Sequence, residues 1–279
     1  MNYKKFTKEH LEAYQRDGYV IIREFFSQEE VNLLLETYKQ DKLVKDSAIN
    51  VDDNSGLNTK LTLWYKSGDD IYGAFSRSER VVDGLEMIFG DKPALYHTKF
   101  MQKEPKVGGA WEWHQDYGYW YDNGFLLPEM LSVMVGVTRA NKENGCLQVL
   151  KGSHKIGRIN HGSTGQQVGA DMKRVSAAMK IMELVYVELE PGDTLFFHGN
   201  LLHRSDANTS DTARFSLISA YNLARNKSFM DEPEASHTPI QKVPDEMILK
   251  IGVKVVQESA DFLSKARDEQ WKDSIEVPK

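Results

Sequence analysis

Chemistry in this chain concentrates in Trp111-Glu-Trp-His-Gln-Asp-Tyr-Gly-Tyr-Trp-Tyr121, where His114 and Asp116 stand one residue apart. On an extended strand, residues i and i+2 point to one face, so an imidazole nitrogen and a carboxylate oxygen are offered to the same ion. Two such donors, completed by a distant second histidine, make the facial set that leaves open positions on iron(II).

The second histidine must come from eight candidates. His198 and His203 compete within Phe196-Phe-His-Gly-Asn-Leu-Leu-His-Arg204; His198 continues a strand, whereas His203 follows a turn. Arg214, eleven positions beyond His203, favours His203. Arg214 and Ser216, two apart on a strand, share a face and can grip one carboxylate, the arginine by two bonds and the serine by one. Iron facing an arginine–serine clamp suits a keto acid with a second carboxylate: its keto-acid end chelates metal and its far end is clamped. That compound is 2-oxoglutarate.

The elements that must position these groups follow from periodicity. Thr7 caps a short helix that runs to about Asp17 and ends at Gly18, and Tyr19–Ile22 reads as a strand. Ser27-Gln-Glu-Glu30 is a capping box opening a helix over Gln28–Lys39 with Val31, Leu34, Leu35 and Tyr38 on one face. The polar stretch from Asp41 to Asn58 reads as a loop, and Ser78 caps a helix over Glu79–Phe89 that Gly90 stops. After Pro93 the period changes. Ala94–Met101, Leu131–Val137, Leu147–Leu150, Leu184–Leu189, Thr194–His198 and Phe215–Tyr221 read as short strands between turn signals such as Asn144-Gly145 and Pro191-Gly-Asp193. Many short strands predict a mainly β protein with flanking helices, an antiparallel double sheet or jelly roll. The expected organisation is a single domain over 1–279: N-terminal helices over 1–92, a jelly-roll core over about 93–225, and a C-terminal helical segment over about 244–272 (Asp245 to Trp271).

Composition narrows the function. The 279 residues are 41% hydrophobic and 27% charged with net charge −6, and no basic tract stands out, which argues against nucleic acid as a partner. No apolar run is long enough to span a bilayer and the start lacks a signal-peptide pattern, so a cytoplasmic protein with no membrane partner is expected. Cys146 is the one cysteine and excludes an intrachain disulfide.

Several segments together resemble the phytanoyl-CoA dioxygenase family of Fe(II)/2-oxoglutarate oxygenases. They are Asp17-Gly-Tyr-Val-Ile-Ile22, His114-Gln-Asp116, Asn144-Gly-Cys-Leu147 with Lys151-Gly-Ser-His-Lys155, Pro191-Gly-Asp193, and Phe196-Phe-His198 through His203 to Arg214. The resemblance spans roughly residues 10–225. It implies a double-stranded β-helix core, His114, Asp116 and His203 on iron, and Arg214 with Ser216 on the C5 carboxylate of 2-oxoglutarate. It also implies that Lys99 and Gln102 face co-substrate or substrate, that His198 supports the ligand shell, and that His154 is a structural turn residue. Dioxygen, iron(II) and 2-oxoglutarate are then the expected cofactors, with succinate and carbon dioxide released and a substrate C–H hydroxylated. Asp116 disfavours halogenation, because related halogenases lack that carboxylate.

Trp113-His-x-Asp-Tyr-x-x-Trp120, with Tyr221-Asn222 further on, is similar to the ectoine hydroxylase branch of the family. That likeness implies a pocket with Trp120, and with Tyr117, Tyr119, Tyr121 and Asn222 as neighbours. Strand alternation would send half of these aromatics into the core. Aromatic faces attract ammonium groups, so a small cationic or zwitterionic metabolite is expected: an ectoine-like solute, a betaine or an aminophosphonate. Arg158, Asn160, His161 and Arg225 are candidates for holding an anionic group. Asp122-Asn-Gly-Phe-Leu-Leu-Pro128 departs from the ectoine pattern and disfavours ectoine itself. The alternatives are an acyl-CoA or lipid-type hydroxylase, a non-catalytic 2-oxoglutarate-binding jelly roll, and a metal-dependent jelly-roll isomerase. The protein is expected to act on a small molecule as a monomer or homodimer.

Overall fold

The computed structural model describes residues 3–164, 167–230, 237–257, 260–264 and 266–268. Its β-strands are β1 (Tyr19–Ile22), β2 (Ile49–Asp52), β3 (Asn58–Trp64), β4 (Pro93–Lys103), β5 (Trp111–His114), β6 (Met130–Gly136) and β7 (Leu147–Leu150). They continue as β8 (His161–Thr164), β9 (Gln167–Ala170), β10 (Leu184–Val187), β11 (Thr194–His198), β12 (His203–Ser205), β13 (Arg214–Leu223) and β14 (Thr238–Pro239). The α-helices are α1 (Lys8–Asp17), α2 (Gln28–Gln40), α3 (Lys42–Asp46), α4 (Ile71–Arg77), α5 (Glu79–Phe89), α6 (Asp116–Asp122), α7 (Met172–Met179) and α8 (Met247–Ile251).

The large sheet runs β1-β11-β6-β13-β4-β3-β2, with β14 added to β4, and the small one runs β10-β7-β12-β5. Every pairing within these two sheets is antiparallel. The inward faces of the two sheets meet over one apolar cluster that includes Met101, Met134, Phe197 and Ile218 from the large sheet and Val149 and Val187 from the small one. The outward face of the large sheet packs against α1, α2, α4 and α5 through a second cluster that contains Phe26, Leu34, Phe75, Leu85, Phe100 and Phe196. This is the jelly-roll, double-stranded β-helix arrangement.

The caps form as the sequence requires. Thr7 and Ser27 each close a capping box on α1 and α2, and Gly18 ends α1 at φ 82°, a conformation that costs glycine nothing. Ser78 precedes α5 but caps nothing: its hydroxyl donates back to the Phe75 carbonyl.

Three expectations fail. The N-terminal 92 residues are not a purely helical layer, since they add β1, β2 and β3 to the large sheet. Asp41–Asn58 is not a loop: Asp41 accepts from the Val44 N–H to start α3, and β2 follows, alternating Ile49 and Val51 inward with Asn50 and Asp52 outward. The C-terminal segment is not one helix through Trp271. α8 stops at Gly252 (φ 61°), and the chain then runs extended, giving the Lys254 carbonyl to Ile71 N–H and pairing Phe262 with Trp64. Of the remainder, 258–259, 265 and 269–272 lie outside the described residues.

Candidate active site

His114 ends β5, and its direct partner across the small sheet is His203, the first residue of β12. Their ring centroids are 4.0 Å apart. Gln115 is extended (φ −116°, ψ 131°), and the chain turns into α6 at Asp116. One extended residue is enough to bring Asp116 back to the face of His114, although the expected strand stops before it. Asp116 Oδ1 lies 3.7 Å from His114 Nε2 and 3.8 Å from His203 Nε2. The donor atoms of all three residues fall within 4.8 Å of one another.

The surroundings prepare these atoms. Nδ1 of His114 is 2.8 Å from the Glu112 carbonyl, and Nδ1 of His203 is 2.8 Å from the Leu201 carbonyl. A carbonyl can only accept, so each Nδ1 carries the proton and each Nε2 keeps its lone pair for a metal. Ser132 on β6 donates to Asp116 Oδ2 at 2.6 Å, leaving Oδ1 toward the imidazoles. Burial pushes the Asp116 carboxyl up, but Lys99, the His114 hydrogen bond and His203 outweigh it and hold the group well below the usual carboxylate range. Burial pushes His203 down to about 3, which keeps it neutral and able to ligate. Two neutral imidazoles and one carboxylate, all buried, fit iron(II).

Above the triad, a cavity of about 180 Å³ opens between the sheets. Arg214 lines it, buried on β13 with Nη1 donating to the Gly145 carbonyl. Its Nε has no partner, and no carboxylate pairs with it among the described residues. A buried guanidinium left without an anion is the observation that fits a carboxylate ligand. Ser216 lies on the same face with its hydroxyl buried and unpartnered, but set back from the cavity wall between Arg214 and Ile218. The hydroxyl that does reach the wall is Ser205 on β12, which sequence reasoning missed. Its position two residues after His203 was the available signal.

The other expected site residues divide. Lys99 lines the cavity with Nζ 3.9 Å from Asp116 Oδ1. Gln102 does not: it lies on the opposite face of β4, where Tyr38 of α2 hydrogen-bonds to it. Trp120 and Tyr119 line the cavity; the Tyr119 ring sits edge-on to His114, with its hydroxyl donating to the Val168 carbonyl at 2.6 Å. Tyr117 is instead buried behind α6, donating to the Phe125 carbonyl. Asn222 ties the turn after β13 together through the Asn226 carbonyl and side chain. Arg158 lies over Tyr121 on the surface, bonded to Asn160, and Arg225 pairs with Glu129. None of these lines the cavity.

His161 is a support. Its Nε2 accepts from the Gln115 N–H at 2.9 Å, and its Nδ1 meets the Ile159 carbonyl. His198 accepts from the Asn200 N–H, shaping the turn that leads to His203, and His154 meets the Gln15 carbonyl. Besides Ser205, the cavity residues that sequence reasoning did not find are Tyr65, Tyr96, His97, Asn123, Arg267 and Asp268. Tyr65 and the last two lie in stretches whose pattern carries no signal of an active site.

A double-stranded β-helix holding His, Asp and His at one end of a cavity and an unpaired arginine on its wall is the architecture of the non-haem Fe(II)/2-oxoglutarate-dependent dioxygenases. The chain belongs to the phytanoyl-CoA dioxygenase (PhyH) family, whose model matches residues 14–216, and it is a dioxygenase of that class. It is 25% identical over 231 residues to an ectoine dioxygenase of Stutzerimonas stutzeri, covering 77% of this chain and 76% of that protein. It is also 25% identical over 174 residues to an L-proline trans-4-hydroxylase of Streptomyces griseoviridis, covering 57% and 65%. The fold is similar to the crystal structure of EctD from S. alaskensis with 2-oxoglutarate and 5-hydroxyectoine, with TM-score 0.68 and 19% identity over 86% of this chain and 88% of that one.

Proposed function

We propose that the protein hydroxylates a small, ammonium-bearing or zwitterionic metabolite, with iron held by His114, Asp116 and His203. The observation that carries this reading is the aromatic wall beside the triad. Trp120 stands edge-on to Tyr96 at 6.1 Å and near His97, with Tyr65 and Tyr119 on the same cavity. Such a box attracts an organic cation and holds it away from water. Two relatives named for ectoine and L-proline, both zwitterions, support the same size and charge class.

With iron and 2-oxoglutarate bound, the chemistry supplied is dioxygen-dependent decarboxylation to succinate and carbon dioxide, coupled to oxygen insertion into a C–H bond. The chain's own residues do the rest. Arg214, with Ser205 beside it, takes the far carboxylate; Ser216 stands behind them. Lys99 lies between that end and Asp116, suited to the near end of the co-substrate. Ser132 and the two main-chain carbonyls keep the ligand atoms in one orientation. Trp120 and Tyr119 aim the substrate C–H and exclude water. We read residues 1–279 as one domain acting on a small molecule, as a monomer or homodimer, because β1, β2 and β3 are strands of the sheet that carries Arg214. No helix of the described residues is long and apolar enough to cross a membrane.

The test is succinate release by the Fe(II)-loaded protein with 2-oxoglutarate and a panel of betaines, amino acids, ectoine, aminoalkylphosphonates and acyl-CoA thioesters. Stimulation by one ammonium compound is expected. Stimulation by acyl-CoA alone would overturn the substrate class.

A further inference from the structure

Lys103, the last residue of β4, has a fully buried side chain. Its register partner on β13 is Arg214, so two cations share the inward face at one end of the cavity. Lys103 Nζ donates to Ser205 Oγ at 2.8 Å and to the main-chain carbonyl of Asp206. One side chain thus crosses from the large sheet to the small one beside Arg214. The Asp206 carboxylate is held by Arg204 and Gln148, so Lys103 meets that residue's carbonyl.

A tie between sheets needs a hydrogen-bond donor but no charge, and burying an ammonium is expensive. The charge therefore calls for an anion. Ser205 supplies the link: it lines the cavity, and a hydroxyl whose oxygen accepts from lysine still has its own proton to give.

We propose that Lys103 is a positioning residue for 2-oxoglutarate: it holds Ser205 so that the hydroxyl donates to the carboxylate on Arg214, and it adds a second positive charge behind that carboxylate. The inference rests on the reading of Arg214 as the carboxylate anchor. Burial and the Arg214 charge both push the Lys103 amine well down, and an anion at Arg214 relieves the second of these.

The test is 2-oxoglutarate binding to the anaerobic Fe(II)-loaded protein by calorimetry, with the melting-temperature shift that 2-oxoglutarate gives the metal-free protein as a second readout. Lys103→Met, Ser205→Ala and the double variant are compared. Each single variant should weaken binding about tenfold and shrink the shift, while the double should be about as weak as either single. Iron affinity should stay at the wild-type value. Binding by Lys103→Met within about twofold of wild type would overturn the proposal, as would losses that multiply in the double variant. Either result would assign Lys103 to the fold alone. Should Lys103→Met not fold, Lys103→Gln keeps a donor without the charge: severalfold weaker binding supports the proposal and wild-type binding overturns it. A wild-type protein that binds no 2-oxoglutarate would instead remove Arg214 as the anchor.

Discussion

His114 and His203 face each other across β5 and β12, and each ring rests on the carbonyl two residues before it, Glu112 for one and Leu201 for the other. The two strands repeat one local device. The register therefore sets both the separation of the imidazoles and the nitrogen that each presents. The third donor, Asp116, depends on a different element: it is fixed from the large sheet by Ser132.

Ser132→Ala should leave all three donors in place while freeing the Asp116 carboxylate to rotate. Metal affinity should fall by about tenfold or more, the usual cost of losing a partner that orients a ligand. Competition of Fe(II) against a chelator of known affinity checks this; unchanged affinity would show that the carboxylate is held by the imidazoles alone.

Gln115 makes three buried bonds, donating to the Gly157 and Asn200 carbonyls and accepting from the Ile159 N–H. Gln115→Leu strands all of them, and each unsatisfied group costs on the order of 1–3 kcal/mol. Urea melts should show a loss of about 3 kcal/mol or more, with a weaker metal site as a consequence.

Gln102 and Trp120 separate the outer face from the cavity. Gln102→Ala should cost about 1 kcal/mol of stability, through the lost Tyr38 bond, and leave the 2-oxoglutarate requirement unchanged. Trp120→Ala should raise the KM of the organic substrate by more than that of 2-oxoglutarate. Parallel steady-state titrations in the two ligands distinguish them.

Asp70 caps α4 through the Gly73 N–H, but its other oxygen is buried without a partner, and burial raises the carboxyl to about 6 despite that N–H and Arg77. An acid whose folded pKa lies above its unfolded value favours the folded state when protonated. That contribution is complete below the unfolded value near 3.8 and is lost as pH rises through about 6, with an upper bound of about 3 kcal/mol. Asp70→Asn keeps the cap acceptor and removes the charge. It should raise the melting temperature at pH 8 and flatten the dependence between pH 4 and 6. Thermal melts at several pH values check both.

The strands and the caps of α1 and α2 were legible because each rests on local chemistry: alternation, a capping box, a terminal glycine. The triad was legible because two ligands adjoin and the third is spaced from an arginine. α6 was not. Tyr117, Tyr119, Trp120 and Tyr121 favour strands, and Gly118 weakens a helix. Distant contacts decide it: a Cβ on Gly118 would sit 2.3 Å from the His161 ring, and Tyr117 N–H is held by the Gly199 carbonyl. His161 looked like a ligand but is the post against which that helix stands. Gln102 was misplaced for a simpler reason: it lies three residues from Lys99, and on one strand an odd interval reverses the face. The walls from Tyr65, Arg267 and Asp268 depend on where remote segments return, which no local pattern encodes.

The cavity has two authors. Its iron end is built from residues inside the stretch matched to the family, 14–216, while Leu263, Arg267 and Asp268 in its rim come from beyond that stretch. The oxidising machinery and the choice of what is oxidised are thus written in separate parts of the chain. A substitution in the rim can retune specificity without disturbing a single ligand atom, so this scaffold is open to drift in its substrate while its reaction stays fixed.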